Sequence, residues 1–356
     1  MSYCFNLQCP NPADPANKNQ LICCNCGFDL LLQNRYRAVQ KLCGEDSFKV
    51  YAQESGQYKV ITINPLLDNL KIVLIMQHKV KVFREINHPG IPKMDQDGYY
   101  TKNDDTHYLV MEYIEGLTLK DWMIRRNKKP ISEKLAIKWL RQMVKILDKF
   151  HRKHYYFRDI NSKAITVKPD GNLALTDYQM LPDKFFDNKG NFTGINCCNF
   201  CSPSQYTIGV PSQEITNEFD FFCLGRIWVF LLTGKHAKAF PENPRTGKLL
   251  WRKYAPHISQ HFADLLDYLM ATFPGNRPQN CQVILKCIRE IKQEQAKTTS
   301  NYQETSQTKT QKKQKTKNKK KKNQIIYSLI NWLNQCWIST WNFLRTISQY
   351  FGLRSR

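Results

Sequence analysis

The chain has 356 residues, 42% of them hydrophobic, and a formal charge of +23. That length and apolar content exclude a fully disordered chain and leave room for one two-lobed domain with appendages. The charge is uneven: residues 301–356 hold twelve Lys and Arg against the single acid Glu304, and such a basic end calls for an anionic partner, a membrane surface or nucleic acid.

Thirteen cysteines do not read as a disulfide framework, because four cluster with metal-ligand spacing and the rest scatter through segments that look buried. The start, MSYCFNLQCP, carries no basic and apolar leader, so a cytoplasmic body is expected. Within residues 1–32, Cys4 and Cys9 are followed by Cys23 and Cys26, and Gly27 follows the second pair. Two short-spaced pairs on tight turns supply four thiolates in a tetrahedron, which predicts a zinc ribbon with a structural zinc ion. Cys24 competes with Cys23, but only Cys23 gives the two-residue gap to Cys26. Pro10, Pro12 and Pro15 fit an irregular, metal-stapled segment. The alternative is a set of free or redox-active thiols.

Further along, RYRAVQKL spans 35–42, YKVITI 58–63 and NHPGIPKM 87–94. YLVMEYIEGLTLKDW spans 108–122. Leu135, Ile137, Trp139, Leu140, Met143, Val144, Ile146, Leu147 and Phe150 recur at helical spacing and make a broad apolar face. An Arg-Asp pair, Arg158 and Asp159, precedes a strand pair turned at Asp170-Gly171, which runs into Asp177. Phe221 to Leu232 is apolar nearly all round, the pattern of a buried central helix.

In this order, these segments resemble a bacterial Hanks-type serine/threonine protein kinase with a four-Cys segment ahead of its kinase domain. Asp220-x3-Leu224-Gly225, Leu231 to Gly234, and Arg277-Pro278 strengthen the resemblance. It implies an α+β, two-lobed kinase-like fold over residues 34–293. It also implies ATP and Mg as ligands if nucleotide binding is retained, with Gly44 and the hinge Glu112–Ile114 on the nucleotide, Asp159 as catalytic base and Asp177 as metal ligand.

Several accompanying residues are missing. The phosphate-covering loop keeps Gly44 but has Asp46 at the second glycine position, and the third is deleted between Phe48 and Lys49. Thr62 stands where the phosphate-gripping Lys belongs, and by strand alternation Lys59 points to the opposite face. No acid occurs between Lys71 and Arg84, and Lys79 lies near the place of the partner Glu. Phe157 replaces the catalytic-loop His, Asn161 a Lys, and Ala164 the metal-holding Asn; Ser204 replaces the usual acidic partner of Arg277.

Residues 294–324 are rich in Gln, Thr and Lys and read as a disordered linker. Residues 325–353 follow, uncharged from Ile325 to Leu344, with a polar stripe of Asn331, Gln335, Ser339 and Asn342 and with Trp332, Trp337 and Trp341. Behind a Lys run, this pattern favours an amphipathic helix lying on an anionic membrane through residues 309–353; a single transmembrane span and a soluble docking helix remain alternatives. Nucleic acid also binds Lys runs, but a Trp-rich apolar segment directly behind one points to lipid.

Together these features predict a membrane-associated pseudokinase, its kinase-like body serving as a scaffold or allosteric regulator for a protein partner or client. The alternative is a divergent serine/threonine kinase working through Asp159 and Asp177. A nucleic-acid-binding ribbon protein is the third class.

Overall fold

A computed structural model of the chain describes residues 2–42, 47–64, 70–101, 106–157, 160–176, 217–296 and most positions between 320 and 342. It divides into two units, Met1–Arg289 and Glu290–Arg356.

The first unit opens with the Cys-rich segment and continues into an antiparallel sheet. Its strands are β1 (Leu31–Leu32), β2 (Tyr36–Lys41), β3 (Ser47–Ala52), β4 (Gln57–Asn64), β5 (Met94–Thr101) and β6 (His107–Glu112), in the spatial order β1-β2-β3-β4-β6-β5. β4 is buried on both faces, and alternation assigns its residues: Ile61 and Ile63 go to one side, Val60 and Thr62 to the other. On the Ile61 side Phe5 joins Phe48, Tyr36, Val50 and Val110 in one apolar cluster. The N-terminal segment therefore roofs the sheet. A main-chain bond from Tyr3 N–H to Ala38 O at 2.8 Å and pairing of β1 with β2 stitch the two together.

Helix α1 (Leu70–Glu85) lies between β4 and β5 in the chain and packs against β5. Over its described side chains it is amphipathic: Lys79, Val80, Val82 and Phe83 are buried, whereas Gln77, His78, Lys81 and Arg84 are exposed.

After Glu112 the chain enters a mainly helical lobe. Thr118 caps α2 (Leu119–Arg125) by accepting Asp121 N–H at 3.1 Å, and Ser132 caps α3 (Glu133–His151). A small sheet joins β7 (Leu117–Thr118), just ahead of α2, to β8 (Ile165–Val167) and β9 (Leu173–Leu175), which lie between α3 and α4, in the spatial order β7-β8-β9. The apolar stripe expected on α3 is buried as a block, from Ile137 to Phe150. α4 (Asn217–Thr233) is buried nearly all round, with Trp228 Nε1–H donating to Ala136 O of α3 at 2.8 Å. α5 (Gln260–Leu269) crosses α4 so closely that a Cβ at Gly225 would stand 2.4 Å from Met270. A further helix, α6, runs over 281–296.

Candidate functional site

The junction between sheet and helical lobe makes the cleft where the sequence places its candidate residues. Glu112 ends β6 and is tied to the neighbouring strand twice: its N–H donates to Lys93 O at 2.8 Å, and its carboxylate accepts Lys93 N–H at 3.1 Å. Ile114 follows, half-buried, and then Gly116 passes hard against β8 with φ +149°. A Cβ there would lie 2.4 Å from Val167 O, so glycine is required for the connection to lie flat on the lower lobe. At the outer end of this hinge the Lys49 ammonium sits over the rings of Tyr58 and Tyr113, at 4.3 and 4.0 Å.

On the sheet side, Thr62 is buried and its hydroxyl bonds that of Ser47 at 3.0 Å across the β3–β4 ladder. Because Ile61 and Ile63 face the N-terminal roof, Thr62 faces the opposite way, toward the helical lobe. Lys59 takes the outer face and pairs with Asp95 of β5 at 2.9 Å. On α1, Lys79 is buried at 3% exposure, its ammonium 5.5 Å from the Phe83 ring. Phe83 in turn packs on Phe150 and Tyr155 of the helical lobe, at 5.0 and 6.1 Å between centroids.

On the floor, Ala164 occupies the turn before β8, donating its N–H to Asn161 O at 3.1 Å and accepting Thr176 N–H at 2.7 Å. Its methyl offers no atom to a metal. The hydroxyls of Thr166 and Thr176 meet at 2.6 Å behind it, and both side chains are buried. The loop leading to this floor is anchored on α4. Asp220, fully buried, accepts Phe157 N–H at 3.1 Å and bonds His151 Nε2 at 2.9 Å on the same oxygen. The ring of Phe157 fills in edge-on against Phe150 and Tyr155. Gly44, Asp46, Asp159, Asp177 and residues 201–205 lie outside the described residues.

His151 was not singled out from sequence. It sits in the last turn of the amphipathic α3, and only the fold brings it to Asp220. Arg277 is buried and donates to three main-chain oxygens, of Ala271 at 2.7 Å, Thr272 at 3.1 Å and Glu218 at 3.2 Å; the ring of Phe222 covers it at 4.5 Å. These carbonyl oxygens are among the partners of the Arg277 guanidinium.

The second candidate centre is the Cys cluster. The sulfurs of Cys4, Cys9, Cys23 and Cys26 all lie within 4.8 Å of one another, with Cys4 to Cys26 at 3.5 Å and Cys9 to Cys23 at 3.7 Å. A tetrahedron with metal–sulfur bonds of about 2.3 Å has edges of about 3.8 Å, so the donor set fits zinc. Cys24 is exposed and outside the set. Gly27 at φ +73° closes the second knuckle, bonding back to Cys23 O at 2.9 Å. Burial pushes the Cys4 and Cys9 thiols up. Burial acts the same way on Cys23, but the N–H groups of Asn25 and Cys26 together with hydrogen bonds from the Cys4 and Cys9 thiols outweigh it and draw that thiol down to about 6. Asn17, which the sequence did not flag, is fully buried behind the cluster, donating to Cys23 Sγ at 3.5 Å and accepting Cys24 N–H at 3.0 Å.

In the second unit, helical backbone begins at 320. Ile325, Tyr327, Leu329, Trp332, Leu333 and Trp337 are all exposed. Among the described residues, no helix is long and apolar enough to cross a membrane.

Residues 58–288 match the family described as the protein kinase domain. Serine/threonine-protein kinase B of Synechocystis sp. is 24% identical over 310 residues, covering 81% of this chain and 52% of that protein. Serine/threonine-protein kinase PknA of Nostoc sp. is also 24% identical, over 281 residues, covering 74% of this chain and 48% of that protein. The chain thus spans about half the length of the curated relatives it matches. Among solved structures, one titled PpkA-294 apo form superposes with a TM-score of 0.54 at 16% identity, covering 72% of this chain and 96% of the other. That likeness concerns the fold.

Proposed function

Because this chain belongs to the protein kinase domain family, we propose that it is a nucleotide-binding pseudokinase, a regulatory scaffold in bacterial serine/threonine-kinase signalling whose phosphoryl transfer is lost. The observation that carries this reading is the make-up of the cleft. The hinge Glu112–Ile114 is in place, but Thr62 stands at the phosphate-gripping position and Ala164 at a metal-holding one. Phosphoryl transfer rests on charge neutralisation and positioning, and one cationic clamp alone can be worth about 10³–10⁵ in rate. Binding a purine against the hinge makes no such demand.

A divergent, active serine/threonine kinase is the second reading. It is favoured by the loop anchor, since Asp220 still holds Phe157 N–H next to the segment that carries Asp159. The four cysteines would hold a structural zinc ion, and the Lys-rich tail with its exposed aromatic residues would dock on an anionic membrane surface.

The deciding experiment incubates the purified protein with radiolabelled Mg-ATP, alone and with a generic acceptor protein, beside an Asp177→Asn variant. The pseudokinase reading expects nucleotide binding without label transfer. Transfer that disappears in Asp177→Asn would establish the active kinase instead.

A further inference from the structure

We propose that the exposed face of α3 is a docking ridge for anionic lipid, carried by the folded body itself. This rests on the membrane reading of the tail given above and extends it to the kinase-like domain.

Every exposed residue of α3 is a cation: Lys134, Lys138, Arg141, Lys145 and Lys149, with Arg152 continuing the row at the C-cap. At about 100° per residue these six fall within an arc of about 80°. At about 1.5 Å per residue they run for about 27 Å, one positive charge in about every 5 Å. The opposite face is the apolar stripe packed toward α4 and β9, so the row is directed outward.

The row is not neutralised from within the protein. Among the described residues, no ion pair, hydrogen bond or ring contact engages the side chains of Lys134, Lys138, Arg141, Lys145 or Lys149. The acids of the same helix are taken: Asp148 pairs with Arg152 at 2.7 Å, and Glu133 accepts the N–H and the hydroxyl of Ser259. Asp170, on the turn after β8, pairs with Lys168 at 3.5 Å. Burial first, and then the charges of Lys149, Lys145 and Lys168, make His88 harder to protonate, so the positive field of this end of the ridge reaches a neighbouring side chain.

A helix face that is merely solvated gains from opposite charges three and four residues apart, and like charges at those spacings destabilise it. Here the successive pairs 134/138, 138/141, 141/145 and 145/149 are all alike in sign. Lys134 also stands in the first turn, at the positive end of the helix dipole. The arrangement is unfavourable in the free chain and becomes favourable against a negative surface. A straight row suits a plane of lipid headgroups, where each cation near the surface adds attraction. A single-stranded nucleic acid would call for aromatic rings among the cations, and the arc holds none. The same chain carries a Lys run with Trp332 and Trp337 exposed, so anionic lipid is the occupant both features share. Two contacts on one chain hold a common surface more tightly than either alone.

Partitioning of the full chain onto phosphatidylcholine vesicles, with and without phosphatidylserine, tests this while tryptophan emission follows the tail. In the triple variant Lys138→Glu, Arg141→Glu, Lys145→Glu, affinity for the phosphatidylserine vesicles should fall roughly 10- to 100-fold, with the blue shift retained at saturating lipid. The new acids lie four residues from Lys134 and from Lys149, so this variant should melt no lower than the wild type. The exchange Lys138→Arg, Arg141→Lys, Lys145→Arg should keep wild-type affinity. Lys18→Glu, Lys238→Glu and Arg245→Glu together, which reverse three exposed cations elsewhere, should lower it far less. An unchanged affinity in the ridge variant, with the blue shift intact, would overturn the ridge and leave the tail reading standing. An equal fall in the second set would reduce the effect to net charge and overturn it too. Binding of a DNA or RNA duplex that the ridge variant abolishes, with vesicle affinity unaltered, would reassign the ridge to nucleic acid. Absence of vesicle binding by the wild-type protein would instead sink the tail reading, and this inference with it.

Discussion

His88 shows how one side chain ties the two lobes to solution pH. Its Nδ1 accepts Gly90 N–H at 3.0 Å, and Gly90 O in turn accepts Leu175 N–H from β9 at 2.8 Å. Burial, and then the positive charges of Lys149, Lys145 and Lys168, hold its pKa below the ordinary 6.5. His236, stacked on Phe230, is lowered in the same sense by burial and by Lys128 and Lys120. In both cases the folded state prefers the neutral ring, whereas the unfolded chain takes up its proton near 6.5. The stability they contribute is therefore complete above that pH and is lost as pH falls through it, until the folded rings protonate as well. Calorimetric melting should show a lower transition temperature at about pH 5.5 than at about pH 7.5, with His88→Gln flattening part of the slope. A slope unaltered by that substitution would remove His88 from the account.

At the scale of elements, the Cys-rich segment is joined to the sheet through one shared apolar cluster. Phe5 meets Phe48 edge-on at 5.3 Å between centroids, and Tyr3 lies 5.9 Å from the same ring. Phe48 immediately follows Ser47, the residue bonded to Thr62, so the roof steadies the strand that leads out of the phosphate-covering loop. Loading the proposed site with zinc and then stripping it with a strong chelator should lower the melting temperature and speed amide exchange in β2, β3 and β4 while sparing α3 and α4. Phe5→Ala, which leaves the four thiolates in place, should loosen the same strands at a cost of about 3–5 kcal/mol. Equal exchange in all five elements would show that the roof is not a separate support.

Much of this arrangement could be read from the chain, and the reasons are specific. α3 and α4 declare themselves because one buries a single face and the other nearly all of its faces, and both leave a period in the sequence. The four cysteines declare themselves by spacing. The Phe5–Phe48 contact does not, because each aromatic reads as ordinary core until the outer face of the sheet is known to be covered. Asn17 and His151 were silent for a related reason: a buried polar side chain has no periodic signature, and its partner is set only by the tertiary fold. Lys79 was noticed as a basic residue where an acid was expected, but its burial was not legible. Gly44, Asp159 and Asp177 lie outside the described residues, so their roles rest on the sequence pattern.

Across the whole molecule, charge and aromatic residues are distributed unevenly between the two units. Met1–Arg289 carries the sheet, α1 to α5 and both candidate centres; Glu290–Arg356 carries the Lys run and the exposed Trp332 and Trp337. In the first unit Trp139, Trp228 and Trp251 are almost fully buried, and each indole N–H is already spent, on Gly171 O, Ala136 O and Asp267 Oδ1. Trp122 is packed edge-on against Trp139 at 5.0 Å. Trp332 and Trp337 in the second unit are 62% and 72% exposed. The molecule thus contains its own optical partition: emission from the first group is fixed by the folded core, and emission from the second follows whatever surrounds the tail. Adding vesicles rich in anionic lipid should shift the emission of the full chain to the blue, and neutral vesicles or high salt should weaken the shift. A chain ending at residue 324 should give no response; an equal response from it would place the lipid contact elsewhere.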